Sequence, residues 1–388
     1  MSERAQQLLP GPSADLVDGL VRLERAVDRA QPLKGKHRAS LPGGVAELSE
    51  MLTSERDQLP PDYMSRPVHL AAYLRWFLPW NVYRQGRLLQ GLPLELPAEP
   101  RVLDLGAGPL TFACALWLAR PELRERPVTI LAVDRSEAAL KAGRQVFTAL
   151  AGDDCPWRLE TRGRAAGGRM GPRADLLVAA NLLNELGGDR TARRKRGPDQ
   201  EGDERLLESW ERQLAPTGRA LIIEPGARTA SARLVRLRAD ALEHGWKVAA
   251  PCPHGAECPL PGRRSGSWCH FGCDTRGMPA WVSKLAQRAR LPKDRVSLSF
   301  LLLGRRDVDL PQDGQVRVVS DEFSLDGGGK GRYGCTADGL VVLVGRGPTS
   351  SGELLPLRRP DRSARDPRSG APLVPLGDGG DRGRQHRR

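Results

Sequence analysis

Residues 102–110 read VLDLGAGPL. The apolar run Arg101–Leu105 predicts a short buried strand. Gly106 and Gly108 then let the backbone turn sharply and approach a ligand with no Cβ in the way. The apolar stretch Leu110–Ala119 predicts a helix whose first amides face that turn. In a dinucleotide enzyme such amides hold a pyrophosphate. Here the third glycine of G-x-G-x-x-G is missing, and an acid, Asp104, precedes the first glycine. A carboxylate at that place suits a cationic, amino-acid-bearing ligand. A second strand is predicted over Val128–Val133. Asp134 stands at its end, where a carboxylate can accept both hydroxyls of a ribose.

Farther out the same alternation continues. A helix is predicted over Ser136–Leu150, strands over Trp157–Thr161, Asp175–Ala180 and Arg219–Ile223, and helices over Glu204–Leu214 and Ser231–Gly245. Strands alternating with helices imply a parallel, doubly wound sheet. Ahead of it, residues 13–30 carry Leu16, Val17, Leu20, Leu23 and Val27 at helical spacing, with Ser13 as N-cap. Val45–Leu59 reads as a second helix. Val68–Leu89, with Tyr73, Trp76, Phe77, Trp80 and Tyr83, reads as a third that Pro79 kinks or splits. Its aromatic stripe is read as core, not as a platform for bases. Past the sheet, Trp281–Arg290 reads as a helix and Val296–Leu303, Val316–Val319 and Leu340–Val344 as late strands.

These patterns give an α/β chain with residues 1–98 as an N-terminal helical domain and 99–348 as the sheet domain. A cysteine-rich loop lies within the latter at 251–275, and 349–388 reads as a disordered basic tail. The net charge is +13, which implies a polyanionic partner or a basic tail. Arginine far outnumbers lysine, as in a GC-rich coding sequence, and this weakens the charge as evidence for nucleic acid. The N-terminus shows no secretory pattern, and no run approaches the ~18 apolar residues of a membrane span. The reading is a cytoplasmic protein, in which seven cysteines favour metal ligation or buried thiols over disulfides.

The segment VLDLGAGPL resembles motif I of class I methyltransferases, D/E-x-G-x-G-x-G. The resemblance implies a Rossmann-like fold in which Asp104, Gly106 and Gly108 shape an S-adenosylmethionine pocket and Asp134 binds its ribose. The chain departs at the last glycine, which is Leu110. Asn181 ends the fourth strand, in DLLVAANLLNELG, where the family places motif IV and faces the cofactor. Asn184 and Glu185 follow it. Glu185 is a general base in one reading and a helix-start carboxylate in the other. Neither the Asn-Pro-Pro-aromatic signature of adenine methylation nor the cysteine of cytosine C5 chemistry is present, so the sequence assigns no catalytic residue.

Cys252, Cys258, Cys269 and Cys273 lie in PCPHGAECPLPGRRSGSWCHFGC, among prolines and glycines. So few apolar residues leave metal binding as the organising free energy. Zinc and an iron–sulfur cluster both accept four thiolates. His254 and His270 sit beside these cysteines as substitute ligands, as hydrogen-bond partners or as ordinary polar loop residues. CPHGAECPL, WCHF and the later YGCTADG (Tyr333–Gly339) resemble the methyltransferase-like assembly factors of the small ribosomal subunit, over about Arg101 to Leu355. The resemblance implies a 4Fe-4S cluster held by Cys252, Cys258, Cys269 and Cys335. By local spacing Cys273 competes as fourth ligand, and the flanking sequence favours Cys335. Cys114 and Cys155 read as ordinary thiols. The C-x-x-x-C-x-x-C motif of radical enzymes is absent, so a four-ligand cluster would be structural or sensing.

The function implied is association with the small ribosomal subunit and its rRNA, with no membrane and no DNA partner. Arg190–Arg196, Arg263–Arg264 and Arg358–Arg388 are the segments that would touch phosphates. Two other readings stay open: an active S-adenosylmethionine-dependent methyltransferase on RNA or protein, and a zinc-stabilised binding module with a vestigial pocket.

Overall fold

The computed structural model describes residues 7–53, 63–165, 168, 170–183, 200–260, 267–308, 314–326, 328–345, 349–357 and 364–376. Arg190–Arg196, Arg263–Arg264, Asn184 and Glu185 lie outside the described residues, as do all but 364–376 of the Arg358–Arg388 segment.

Helix α1 (Ala14–Ala30) begins where Ser13 accepts a hydrogen bond from the Leu16 amide, with Asp15 in its first turn and Arg29 in its last. Both charges suit the helix dipole. Its buried stripe is Leu16, Leu20, Leu23 and Val27. Helix α2 (Gly35–Thr53) and the short α3 (Pro67–Ala72) follow. A π-helical turn, Tyr73–Phe77, then leads into α4 (Leu78–Gly91). The interruption expected at Pro79 falls just before it, because proline has no amide to offer the preceding turn. The aromatic stripe is core as expected: Trp76 and Tyr83 are fully buried and Trp80 nearly so.

Strand β1 (Arg101–Leu105) leads through the glycine turn into α5 (Thr111–Ala119). Then come β2 (Thr129–Asp134), α6 (Glu137–Ala151), β3 (Arg158–Gly163), β4 (Ala174–Ala180), α7 (Gln200–Gln213) and β5 (Leu214–Pro225). Next are α8 (Arg228–Glu243), β6 (Lys247–Ala250), β7 (Phe271–Asp274), α9 (Ala280–Arg288) and β8 (Arg295–Gly304). The strand order is β3-β2-β1-β4-β5-β8-β6, with β7 also on β8. From β3 to β5 every pairing is parallel, in a Rossmann-like order with its switch point between β1 and β4. The parallel sheet expected holds over these five strands, and the far edge, for which no direction was read, is antiparallel. There β8 runs antiparallel to β5, β6 and β7. Apolar runs such as Val296–Leu303 mark a doubly covered strand but carry no direction.

The N-terminal helices do not keep a core of their own. One apolar cluster runs from Leu16 and Trp76 through Phe112 and Ile130 to Phe300 and Cys335. A second fills the other face of the sheet around Leu177, Trp210 and Ile222. Among the described residues no helix is long and apolar enough to cross a membrane.

The C-terminal third forms a second sheet. It is built from β9 (Gln315–Val318), β10 (Phe323–Ser324), β11 (Lys330–Thr336), β12 (Gly339–Val344), β13 (Leu354–Pro356) and β14 (Leu373–Pro375). Its order is β13-β9-β11-β12-β14, with β10 on β11. Two of these strands lie in the segment expected to be a disordered tail, and that expectation is corrected here. Leu354–Pro356 pairs with β9 and Leu373–Pro375 with β12. Both are three residues long, too short to show alternation against an Arg- and Pro-rich background. They help cover Val316, Val318, Val341 and Leu343, with Val374 inside the same cluster.

A chain ending at Gly345 should therefore lose structure rather than a loose tail. Amide exchange should speed up across Gln315–Val344, because two edges and an apolar face become exposed. Unchanged protection of those strands would contradict the tail's place in the sheet.

Candidate functional site

The glycine turn follows the reading of its sequence. Gly106 and Gly108 have φ of 68° and 51°. The amides of Gly106 and Ala107 donate to the Val133 carbonyl at 2.8 and 3.1 Å. The Gly108 amide donates to Asp134 Oδ2 at 2.8 Å. Three loop amides are thus engaged with the end of β2, so the loop is not the open amide cradle a pyrophosphate needs. Where the family pattern has its last glycine, Leu110 is left-handed, with φ 56°, and caps α5. That backbone costs a leucine roughly 1–2 kcal/mol. Complete burial of its side chain offsets this cost. The space comes from the neighbouring helix: a Cβ on Gly143 of α6 would stand 2.4 Å from the Pro109 carbonyl carbon. The glycine absent from the loop has its counterpart on the helix packed against it.

Two acids face each other across this turn. Asp104 is 1% exposed, and its Oδ2 has no hydrogen-bond partner. Burial, helped by the Asp134 carboxylate, pushes its pKa well above the usual carboxylate range. Asp134 is also raised by burial, against the pull of the Ser136 and Gly108 amides that its two oxygens accept. Each carboxylate oxygen has two lone pairs, so Asp134 retains acceptor capacity. A buried carboxyl group lacking a partner, beside a second acid, is an environment that a cationic ligand relieves.

Asn181 closes β4 in a left-handed conformation, φ 59°. Its amide donates to the Ile223 carbonyl at 2.7 Å, and its side-chain oxygen accepts from Arg84 at 2.9 Å. Arg84, from α4, also donates to Asn81 Oδ1 and to the Ser297 carbonyl, at 2.8 and 3.2 Å. Burial lowers its pKa, opposed first by Glu224. Glu224, fully buried near the end of β5, accepts from the Leu183 amide at 2.8 Å. Sequence reasoning missed both residues. Glu224 had a signal, since IIEPG repeats the apolar-strand, acid, turn pattern of Asp104 and Asp134. Arg84 had none, because it lies on a helix whose neighbours read as core.

The cysteines divide into two environments. Burial raises Cys269 and Cys335 well above the ordinary thiol range, and both also feel Cys252 and Cys258. Cys269 feels Cys335 as well. Cys258 is raised by burial and then by Cys252. Strand β11 thus carries Cys335 to the loop that holds the other three. His254 Nε2 lies 3.1 Å from Cys335 Sγ. Arg238 of α8 donates to Cys252 Sγ at 3.2 Å and to the carbonyls of His254 and Ala256 at 3.0 and 2.8 Å. Its own burial would lower its pKa, but the thiols at 252, 258 and 335 outweigh that and raise it. Cys273 lies elsewhere, on β7 opposite Val296. Burial lifts it to about 11, and Arg87, Asp274, Arg295 and Asp321 are the charges it feels most. All seven cysteines are free thiols. Among the described residues no group of three or more His, Cys, Asp or Glu side chains is placed to hold a metal ion, so the four thiols are electrostatic neighbours without forming a closed ligand set.

Strand order, glycine turn and the acid at the end of β2 together define a Rossmann-like domain. Residues 95–278 match the family model described as Mitochondrial small ribosomal subunit Rsm22. Over that stretch the chain is similar to the Rsm22 family, as the cysteine-loop resemblance implied. The matched stretch holds Asp104, Asp134, Asn181 and Cys252, Cys258 and Cys269, while Cys335 lies beyond it. No curated protein matches the chain. Among solved structures, a putative class I S-adenosylmethionine-dependent methyltransferase from Listeria monocytogenes is 11% identical, with 78% of this chain and 92% of that one covered and a TM-score of 0.35. YjhP from E. coli is 15% identical, covering 58% and 92%, with a TM-score of 0.33. A methyltransferase from Thiobacillus denitrificans, solved with S-adenosyl-L-homocysteine, is 14% identical, covering 58% and 91%, with a TM-score of 0.32. At such identities and scores these likenesses add nothing to the strand order already described.

The raised pKa of Asp104 has a stability consequence. The folded chain holds this proton more tightly than the unfolded chain, whose carboxyl titrates near ~3.9. Its contribution to stability is therefore present in acid and is lost as pH rises through the folded pKa. Asp104→Asn should leave the ligand-free protein more stable than the parent at pH 8, with the gap closing toward pH 4. Denaturant unfolding across that range measures it, and a gap that widens toward acid would contradict the assignment.

Proposed function

We propose that this protein acts with the small ribosomal subunit, binding rRNA through a methyltransferase-like domain that takes S-adenosylmethionine at the glycine turn and a 4Fe-4S cluster at the cysteine loop. The observation that carries the reading is the neighbourhood of three loop thiols and one thiol from a strand of the second sheet. Cys335 is 66 positions beyond Cys269 in the chain and is nonetheless its electrostatic partner. The name of the matched family supports the ribosomal assignment, which fits either a cytoplasmic or an organellar location.

The donor types present suit both groups. Asp104, buried with an oxygen lacking a partner, suits the cationic amino-acid end of S-adenosylmethionine, and Asp134 has lone pairs left for ribose hydroxyls. Gly106 and Gly108 keep side chains out of the approach, and Asn181 stands on the cofactor side of β4. Bound there, S-adenosylmethionine supplies an electrophilic methyl group. The chain's own part is to neutralise, orient and exclude water, with no described side chain assigned as base. At the second site Cys252, Cys258, Cys269 and Cys335 are the thiols that would hold the cluster. Arg238 offsets thiolate charge and His254 is aimed at Cys335 Sγ. Four protein ligands leave no open iron, so the group would fasten β11 to the loop rather than perform redox turnover. Zinc would satisfy the same thiols.

Purification without oxygen, with iron, sulfide and zinc determination, tests this reading. The expected result is a brown protein with about four irons per chain. Cys335→Ser should lose most of the iron, and Cys273→Ser should keep it. A colourless zinc protein would support the structural-zinc version, and a metal-free folded protein would overturn both. In the same samples S-adenosylhomocysteine binding should weaken by about tenfold or more in Asp134→Ala, the scale of losing a charge-assisted hydrogen-bond acceptor. Association with small subunits should fall steeply with salt.

A further inference from the structure

At the carboxyl end of β5, next to Asn181 but outside the glycine turn, lies a cavity of about 520 Å³. Trp80, Asn81 and Arg84 from α4 line one side, Gly226 and Ala227 another, and Lys293 to Ser297 a third. Its size falls within the range of small-ligand sites, and the carboxyl edge of such a sheet is where ligands bind.

The lining is rich in donors. Ala227 is the N-cap of the sixteen-residue α8, and no side chain caps that helix. Its first-turn amides therefore have no intrahelical acceptor and carry the positive end of the dipole. The Lys293 ammonium stands 5.3 Å from the Trp76 ring and 5.5 Å from the Trp80 ring. Although the residue as a whole is exposed, burial of its ammonium and the nearby Arg84 pull its pKa down to about 8. Trp80, 5% exposed, has an indole N–H without a partner. Arg84, 9% exposed, has an Nε–H without one. Arg295 is already held by Asp321 at 3.0 Å, and Asp294 is the one acid in the lining.

We propose that this cavity is a phosphate-ester site, in which the uncapped start of α8 and Lys293 receive a nucleotide's phosphate beside the Trp80 and Arg84 side chains. Through the Arg84–Asn181 hydrogen bond an occupant here is one side chain away from the proposed cofactor face. The anion site stands on its own geometry, whereas a nucleotide rather than another phosphate ester rests on the ribosomal reading above.

Calorimetry on the full chain tests it with uridine 5′-monophosphate, uridine and a short single-stranded oligouridylate. The monophosphate should bind and uridine should not. Binding of the oligonucleotide as well would assign the site to RNA, and binding of the monophosphate alone would assign it to free nucleotide. Two substitutions at exposed positions locate the site. Lys293→Met should weaken the phosphate probes about tenfold, the scale of one charge-assisted contact. Ala227→Asp places a carboxylate on the same amides. It should abolish binding while the melting temperature stays level or rises, an outcome that unfolding cannot imitate. S-adenosylhomocysteine binding, followed in parallel, should survive both changes, so failure of this site is distinguishable from failure of the cofactor reading. Binding of neither phosphate probe, or parental affinity in both variants, would overturn the proposal.

Discussion

Bringing four thiols and a guanidinium together under an apolar cover is the constraint on which the two-sheet arrangement turns. Left neutral and unligated, buried thiols contribute little beyond packing. Their nearness matters because it sets a late strand beside the cysteine loop, where His254 Nε2 lies 3.1 Å from Cys335 Sγ. Arg238, reaching from α8 to Cys252 and to two loop carbonyls, holds the loop to the main sheet's helical layer. Arg317 of β9, 2% exposed, does the same from the other side, donating to the carbonyls of Pro251 and Gly352. The loop has little apolar surface, so these polar contacts and the thiol cluster are what position it.

The main sheet solves a different problem. Its acids are placed by strand ends, because a chain leaving a parallel sheet at its carboxyl edge must turn. Asp104, Asp134 and Glu224 lie on or next to such turns. Two of them are raised by burial, and the third is fully buried beside Arg84. The N-terminal helices complete this edge rather than standing apart from it. Helix α4 sends Arg84 to Asn181, and Met64 lies 4.0 Å from where a Cβ on Gly108 would be. The continuous apolar cluster beneath them is the energetic reason these helices stay in place.

Much of the fold was legible in the sequence because its signals are local. Residues 102–134 form the strand, turn, helix and strand that their apolar runs and glycines announced, and the Ser13 and Ser136 caps fall where helix starts were expected. The reversed direction of β8 was not legible, since apolarity reports burial and not polarity of the chain. Strands β6, β7, β10, β13 and β14 were missed as strands. Each is short or interrupted by polar residues, and pairing partners elsewhere in the chain decide them. At the site, Asp104, Gly106, Gly108 and Asp134 could be named because a turn and its acids sit together in the chain. Cys335 came from a resemblance in its flanking residues, since nothing in its spacing ties it to Cys252. The first turn of α8 was invisible because an absent cap leaves no pattern.

Thiol mapping of the metal-free protein tests the central claim most directly. After mild oxidation and digestion, mass spectrometry should find Cys335 joined to Cys252, Cys258 or Cys269, with Cys273 still free. A bridge between Cys335 and Cys273, or a Cys335 that pairs with none of the three loop thiols, would contradict the account.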